Sequence, residues 1–191
     1  MLRGVFLDRD NTLMPNDGDC GDPDAVTLLA GVGEGLRRLR DAGFRLVVVT
    51  NQGGVARGRY TESDVVAVHD RLAALIDAAT GLDRCIDRFY ACPYHPEGTL
   101  ERYRREHPWR KPNPGMLLQG AADLGLDLAA SWLIGDQLRD VEAGRRAGCR
   151  TILLDRDGAT ATPSTDAEQL VARSLAEAVD RILAEIPEPA R

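Results

Sequence analysis

Val5-Phe6-Leu7-Asp8-Arg9-Asp10-Asn11-Thr12-Leu13 is the stretch from which the architecture can be read. Three consecutive apolar residues make a short buried strand, and two aspartates two positions apart follow at its end, with Thr12 just beyond. In an open parallel sheet the ligand crevice lies past the carboxyl ends of the strands. Asp8 and Asp10 therefore read either as loop and capping residues or as carboxylates delivered to a cleft. The choice turns on whether other strand ends carry matching chemistry.

Several do. Phe44 to Val49 is apolar except for Arg45, the signature of a strand buried on both faces, and it ends in Thr50-Asn51-Gln52-Gly53-Gly54. These residues suit either a capped turn or a phosphate contact, since glycines admit a ligand to the backbone and hydroxyl and amide groups donate to its oxygens. Ile86 to Ala91 reads as a third strand. Ser131 to Ile134 reads as a fourth, ending in Gly135-Asp136 with Asp140 four residues on, and Thr151 to Leu154 as a fifth. Helical spacing links them: Gly31–Ala42, Thr61–Thr80, Gly115–Leu124, Val141–Ala147 and Leu170–Ile186. The third strand precedes the helix at Gly115, and Thr61 with Asp64 resembles a capping box. His69 is assigned to the solvated face of its helix.

Strands alternating with helices five times predict an α/β, three-layer, doubly wound parallel sheet. The expected organisation is one domain over residues 1–186, with an insertion loop at 92–112 rich in Pro, Arg and charge, and a frayed tail at 187–191. A length of 191 residues suits one such core. The net charge of -6 argues against a nucleic-acid partner, whose phosphates favour a basic face. No apolar run approaches a membrane span, no leader precedes the first strand, and the four cysteines are scattered. A reduced, cytoplasmic, monomeric protein acting on a small molecule is expected.

The inventory at the strand tips is Asp8 and Asp10, Thr50 and Asn51, the pair Asp136 and Asp140, and the adjacent cations Arg110 and Lys111 in the insertion loop. Arg110-Lys111 alone reads as a solvated basic turn or as a dianion clamp stiffened by Pro112 and Pro114. Neither a G-x-G-x-x-G turn nor a G-x-x-x-x-G-K-[ST] loop is present. Together these residues fit phosphoryl transfer through an aspartyl-phosphate. A carboxylate attacks a phosphate dianion only where cations neutralise the developing charge. Mg²⁺ on Asp8, Asp136 and the backbone carbonyl of Asp10 is expected to supply part of this, and Lys111, Thr50 and Asn51 the rest. Asp10 is placed to protonate the leaving alcohol and then deprotonate the attacking water.

Four segments, DRDNT from Asp8, VVVTNQ from Val47, RKP from Arg110 and GDQLRD from Gly135, resemble the haloacid dehalogenase superfamily of phosphatases over about residues 3–155. TNQGGVARG, CPYHPEG and RKPNPGM narrow the resemblance to its capless branch, which acts on heptose bisphosphate and histidinol phosphate. The resemblance implies no cap domain, with Asp8 as nucleophile, Asp10 as acid/base, and Thr50 and Lys111 as phosphate stabilisers. Arg110 becomes a substrate-recognition cation, Asp136 the third Mg²⁺ contact, and Asp140 a support behind the site. Asn51, Gln52, Arg57, Gln137 and Asp17 complete the expected substrate-contacting set.

Departures from the pattern bear on zinc and substrate. The branch carries a C-x-H and C-x-C zinc loop, but here Tyr94, His107 and Trp109 stand at three of the four positions and Cys92 alone remains. No zinc is expected, the loop being held by Pro93, Pro96, Pro108 and packing of Tyr94 and Trp109. Asp17-Gly18-Asp19 replaces a sugar-contacting segment, Gln137 replaces a lysine, and Asn11 replaces a turn glycine. The reading is a Mg²⁺-dependent phosphomonoesterase with heptose 1,7-bisphosphate as leading substrate. Histidinol phosphate is the first rival, favoured by Asp17 and Asp19; an inactive phosphometabolite-binding homologue is the second.

Overall fold

The computed structural model describes residues 2–16, 18–156, 158 and 169–186. Asp17 and the tail at 187–191 lie outside them. In chain order the elements are β1 (Gly4–Leu7), α1 (Val32–Asp41), β2 (Arg45–Asn51), α2 (Gly53–Ala56), α3 (Glu62–Thr80) and β3 (Arg88–Cys92). There follow α4 (Gly115–Leu124), β4 (Trp132–Gly135), α5 (Leu138–Ala147), β5 (Arg150–Leu154), β6 (Leu170–Ala172) and α6 (Leu175–Ala184). All strands are parallel, in the order β3-β2-β1-β4-β5-β6. The chain leaves β1 towards β2 on one side and reaches β4 on the other, so β1 stands at the reversal of strand order, where a ligand crevice opens.

Alternation along β1 builds both faces. Val5 and Leu7 pack with Leu36 of α1, Leu72 of α3 and Ile182 of α6. Phe6 points the other way, among Val47, Met116 of α4 and Ala143 of α5. With Val5, Phe6 and Leu7 all fully buried, the sheet is a middle layer between two helical layers, as the unbroken apolar run implies. Among the described residues no helix is long and apolar enough to cross a membrane, and Cys20, Cys85, Cys92 and Cys149 are free thiols.

Two expectations are corrected. Leu170–Ala172 is a sixth strand paired with Ile152–Leu154, not the start of the last helix. That helix begins after Ser174, whose Oγ accepts from the Glu177 amide at 3.2 Å, so the true start signal is the Ser-x-x-Glu pattern. His69 is buried, only 7% exposed, and stacks on Phe89 with ring centroids 4.9 Å apart. It lies four residues from Val65 and three from Leu72, on the apolar stripe of α3 itself, and residue type misplaced it where spacing would not. The Thr61 and Asp64 capping box is present, with Asp64 Oδ2 taking the Thr61 amide at 2.7 Å.

Burial, followed by the charge of Arg9, pulls the His69 pKa down to about 3. A depressed imidazole pKa means that the unfolded chain takes up a proton as pH falls through its ordinary value while the folded protein does not, so stability is lost on acidification. His69→Phe is expected to be about 2–3 kcal/mol less acid-sensitive than the parent between pH 6.5 and 4.5. Urea unfolding at the two pH values measures it, and parallel profiles for parent and variant would refute the assignment.

Candidate active site

β1, β2 and β4 are neighbours, so their carboxyl ends deliver Asp8, Thr50 and Asp136 to one edge. The loop before α4 brings Lys111 there. Its Nζ donates to the Val49 carbonyl at 2.8 Å and forms ion pairs with Asp8 Oδ1 at 2.8 Å and Asp140 Oδ1 at 2.6 Å. An ammonium has three protons, and three acceptors meet it. Burial pulls the Lys111 pKa down, but Asp140 and Asp8 more than offset it and the net shift is upward, so the side chain is a cation. Asn51 holds this loop in place. Its Oδ1 accepts from the Lys111 amide and its Nδ2 donates to the Lys111 carbonyl, both at 3.0 Å.

Asp8 is 4% exposed, and its Oδ1 also accepts from the Arg9 amide at 2.8 Å. Carboxylate oxygens of Asp8, Asp136 and Asp140 lie within 4.8 Å of one another. Gly135 permits this, because a Cβ there would stand 2.4 Å from Asp140 Cγ. Asp140 is committed on both oxygens: Oδ1 faces Lys111 and Oδ2 takes the Gln137 amide at 3.0 Å, which caps α5. Asp136 Oδ1 and Asp140 Oδ1 are both buried without a hydrogen-bond partner, but Asp140 Oδ1 has the Lys111 ammonium beside it. Asp136 Oδ1 has no ion-pair partner among the described residues, and the Asp136 pKa is pushed up to about 6 by burial and by the charges of Asp8 and Asp140. Three carboxylates against one ammonium leave about two negative charges and an unused hard oxygen, a donor set that fits a divalent cation.

Asp10 is the one predicted catalytic residue on the wall of the cleft, a cavity of about 450 Å³ that Asn51, Gln52, Arg57, Arg110 and Gln137 also line. Its carboxylate is held rather than free. Arg9 donates to Oδ1 from Nε at 3.0 Å and to Oδ2 from Nη2 at 3.1 Å, and Gln52 Nε2 reaches Oδ2 at 3.0 Å. Gln52 also donates to Thr50 Oγ1 at 2.8 Å and accepts from the Tyr60 hydroxyl at 2.8 Å. Tyr60, its pKa raised to about 12 chiefly by burial, packs where a Cβ on Gly54 would come within 2.4 Å of the ring.

Arg9, Tyr60 and Arg139 escaped the sequence reading. Arginine and tyrosine carry no burial signal of their own, and Arg9 is fully buried between two residues that do attract notice. Asn11 has φ 55°, which an asparagine accepts where glycine is usual. Asp19 does not offer a free negative charge: Arg57 holds it at 2.6 Å and Arg59 at 3.0 Å. Its use for a cationic substrate is thereby withdrawn. The insertion loop is packed by rings. Tyr94 stacks on His107 at 4.3 Å and Trp109 meets Tyr90 edge-on at 5.7 Å. Metal analysis of the purified protein is expected to find no stoichiometric zinc; one zinc per chain would overturn the assignment of the loop to aromatic packing.

A family model described as HAD-hydrolase-like matches residues 108–178. D-glycero-beta-D-manno-heptose-1,7-bisphosphate 7-phosphatase of Escherichia coli (strain K12) is 40% identical over 175 residues, covering 91% of this chain and 90% of that protein. The chain belongs to the HAD-like heptose-bisphosphate phosphatase family. Within that family the alpha-anomer phosphatase of Burkholderia mallei (strain ATCC 23344) is also 40% identical, over 86% of this chain and 87% of its own length. The crystal structure of D,D-heptose 1,7-bisphosphate phosphatase from B. bronchiseptica, complexed with magnesium and phosphate, superposes with a TM-score of 0.83. It is 29% identical and covers 97% of this chain and 100% of its own. As a member of this family the chain is a phosphatase, which removes the reading as an inactive binder.

Proposed function

We propose that this phosphatase removes the 7-phosphoryl group of a D-glycero-D-manno-heptose 1,7-bisphosphate through an aspartyl-phosphate on Asp8. The observation that carries the reading is the contact of Lys111 Nζ with Asp8 at 2.8 Å beside the unpartnered Asp136 oxygen, which pairs a nucleophile with a fixed cation and a metal-ready carboxylate. Asp8, Asp136 and the Asp10 carbonyl would hold Mg²⁺, which when bound supplies charge neutralisation at the phosphoryl oxygens.

The chain's own groups do the rest. Lys111 and the Thr50 hydroxyl bind the phosphoryl oxygens, with Asn51 acting on Lys111 rather than on the substrate. Since Lys111 and the Arg9 amide both engage Oδ1 of Asp8, Oδ2 is the oxygen left for attack on phosphorus. As the phosphorus to ester-oxygen bond breaks, the carboxyl of Asp10 gives its proton to the sugar alkoxide. The Asp10 carboxylate then takes a proton from water, which attacks the phosphorus of the acyl-phosphate and restores Asp8. Arg9 and Gln52 hold Asp10 in one orientation for both transfers.

The substrate test compares kcat/KM for the alpha and beta anomers of heptose 1,7-bisphosphate with histidinol phosphate and hexose monophosphates. One heptose anomer is expected to lead the field by more than about tenfold, roughly 1.4 kcal/mol of transition-state binding. A lead of that size for histidinol phosphate would overturn the substrate assignment.

A further inference from the structure

Gln52 is 1% exposed, and every hydrogen-bonding position of its side chain is used. Oε1 accepts from Arg9 Nη2 at 3.1 Å and from the Tyr60 hydroxyl at 2.8 Å. Nε2 donates to Asp10 Oδ2 at 3.0 Å and to Thr50 Oγ1 at 2.8 Å. A guanidinium can only donate, so the atom facing Arg9 is the carbonyl oxygen and the amide has one orientation. Two groups that meet the phosphoryl ester depend on it. Asp10 receives an N–H on the carboxylate that moves protons, and Thr50, whose oxygen accepts from Gln52, keeps its own O–H to donate to a phosphoryl oxygen.

The two anchors of that amide differ. Arg9 also donates to both oxygens of Asp10, from Nε at 3.0 Å and Nη2 at 3.1 Å, so it moves with the carboxylate. Tyr60, in the link between α2 and α3, bonds to Gln52 and not to Asp10. Its side chain is wedged between two glycines: a Cβ on Gly21 or on Gly54 would stand 2.4 Å from it. Burial first, and then the charge of Asp19, raise its pKa to about 12, so the hydroxyl stays protonated and remains a donor.

We propose that the Tyr60 hydroxyl is a positioning group for proton transfer by Asp10, acting through the Gln52 amide. The proposal deepens the phosphatase reading above and rests on its assignment of Asp10 as acid and base. Tyr60 ties the amide to a part of the fold that the reacting groups do not themselves move, and the amide passes that fixed position to Asp10 and Thr50. Without the hydroxyl, one lone pair of a buried carbonyl is left unused and the amide is held by Arg9 alone. Proton transfer to a departing alkoxide requires hydrogen-bond geometry, so loosening the amide weakens acid assistance more than it weakens binding.

The readout is the ratio of kcat/KM for benzyl phosphate to kcat/KM for 4-nitrophenyl phosphate, which does not depend on how much of a variant is folded. Benzyl alkoxide needs a proton to leave, as a sugar alkoxide does, whereas 4-nitrophenolate leaves without one, so the ratio reports acid assistance. Tyr60→Phe keeps the ring between Gly21 and Gly54 and removes only the hydroxyl. It is expected to lower the ratio at least about fivefold, a part of the 10²–10⁴ that a positioned acid supplies. Added to Gln52→Ala, the same substitution is expected to change the ratio by less than about twofold, because its effect passes through that amide. Asp10→Asn gives the full loss for comparison. If Asp10→Asn lowers the ratio while Tyr60→Phe leaves it within about twofold of the parent, the role of Tyr60 is overturned and the acid/base assignment stands. If Asp10→Asn leaves the ratio unchanged, both fall. A full Tyr60→Phe effect in the Gln52→Ala background would show the hydroxyl acting on the ester directly and would also overturn the positioning role.

Discussion

Asp8→Asn is expected to lower kcat on a generic aryl phosphate by at least about 10⁴-fold, because the amide is no nucleophile and no other carboxylate occupies its position on Lys111. Asp140 is the other acidic partner of that ammonium, but both its oxygens are committed, to Lys111 and to the Gln137 amide. Asp136 lies within the same carboxylate cluster without touching Lys111 at bonding distance. The substitution is isosteric. Lys111 loses one ionic contact, while repulsion between Asp8 and the neighbours Asp136 and Asp140 is relieved, so stability is expected to stay within about 1 kcal/mol of the parent. Activity near the parental level, in a variant shown to be folded by urea unfolding, would end the aspartyl-phosphate mechanism.

The second large effect is on stability as well as activity. Lys111 is 2% exposed, Asp140 1% and Asp8 4%, so Lys111→Met leaves two deeply buried carboxylates and the Val49 carbonyl without their cation. Breaking a buried pair from one side costs about 3–5 kcal/mol, and turnover should be lost with it. Adding Asp140→Asn removes one of the stranded charges. The double variant is therefore expected to regain part of the stability lost in Lys111→Met, although Asp140→Asn alone should destabilise. Additive losses in the double-mutant cycle, measured by urea unfolding, would show that the two residues do not act as a pair. Lys111→Arg is not a rescue, since a planar fork does not fit three acceptors arranged around one nitrogen.

These two residues stand apart in sequence by more than a hundred positions, yet both were legible before the structure. Each sits immediately beside a strand end or a proline-stiffened approach to a helix, where local pattern already implies a cleft-facing position. The same logic placed Thr50 and Asp136 at or just past the ends of β2 and β4, where the structure has them. It worked less well for side chains whose role depends on a partner. Asn51, expected to touch phosphate, spends both ends of its amide on the Lys111 backbone. His69 was sent to solvent on residue type, although its spacing put it on the buried stripe. The last strand was missed because three residues, Leu170–Ala172, are too few to show a period, and their strand character comes from pairing with β5.

Sequence alone determined the layered parallel architecture and the edge at which chemistry collects. Burial periodicity is local, and strands alternating with helices imply a parallel sheet with right-handed crossovers, while the order of the six strands is read from their pairing. Tertiary structure decided which charges remain available at that edge. Asp19 is shared by Arg57 and Arg59, and Asp140 joins Asp8 on Lys111, while Arg110 and Arg139 line the cleft without a carboxylate at ion-pair distance among the described residues. Such pairing depends on distances of a few ångströms between residues far apart in the chain, and Coulomb attraction over those distances leaves no periodic trace in the order of amino acids.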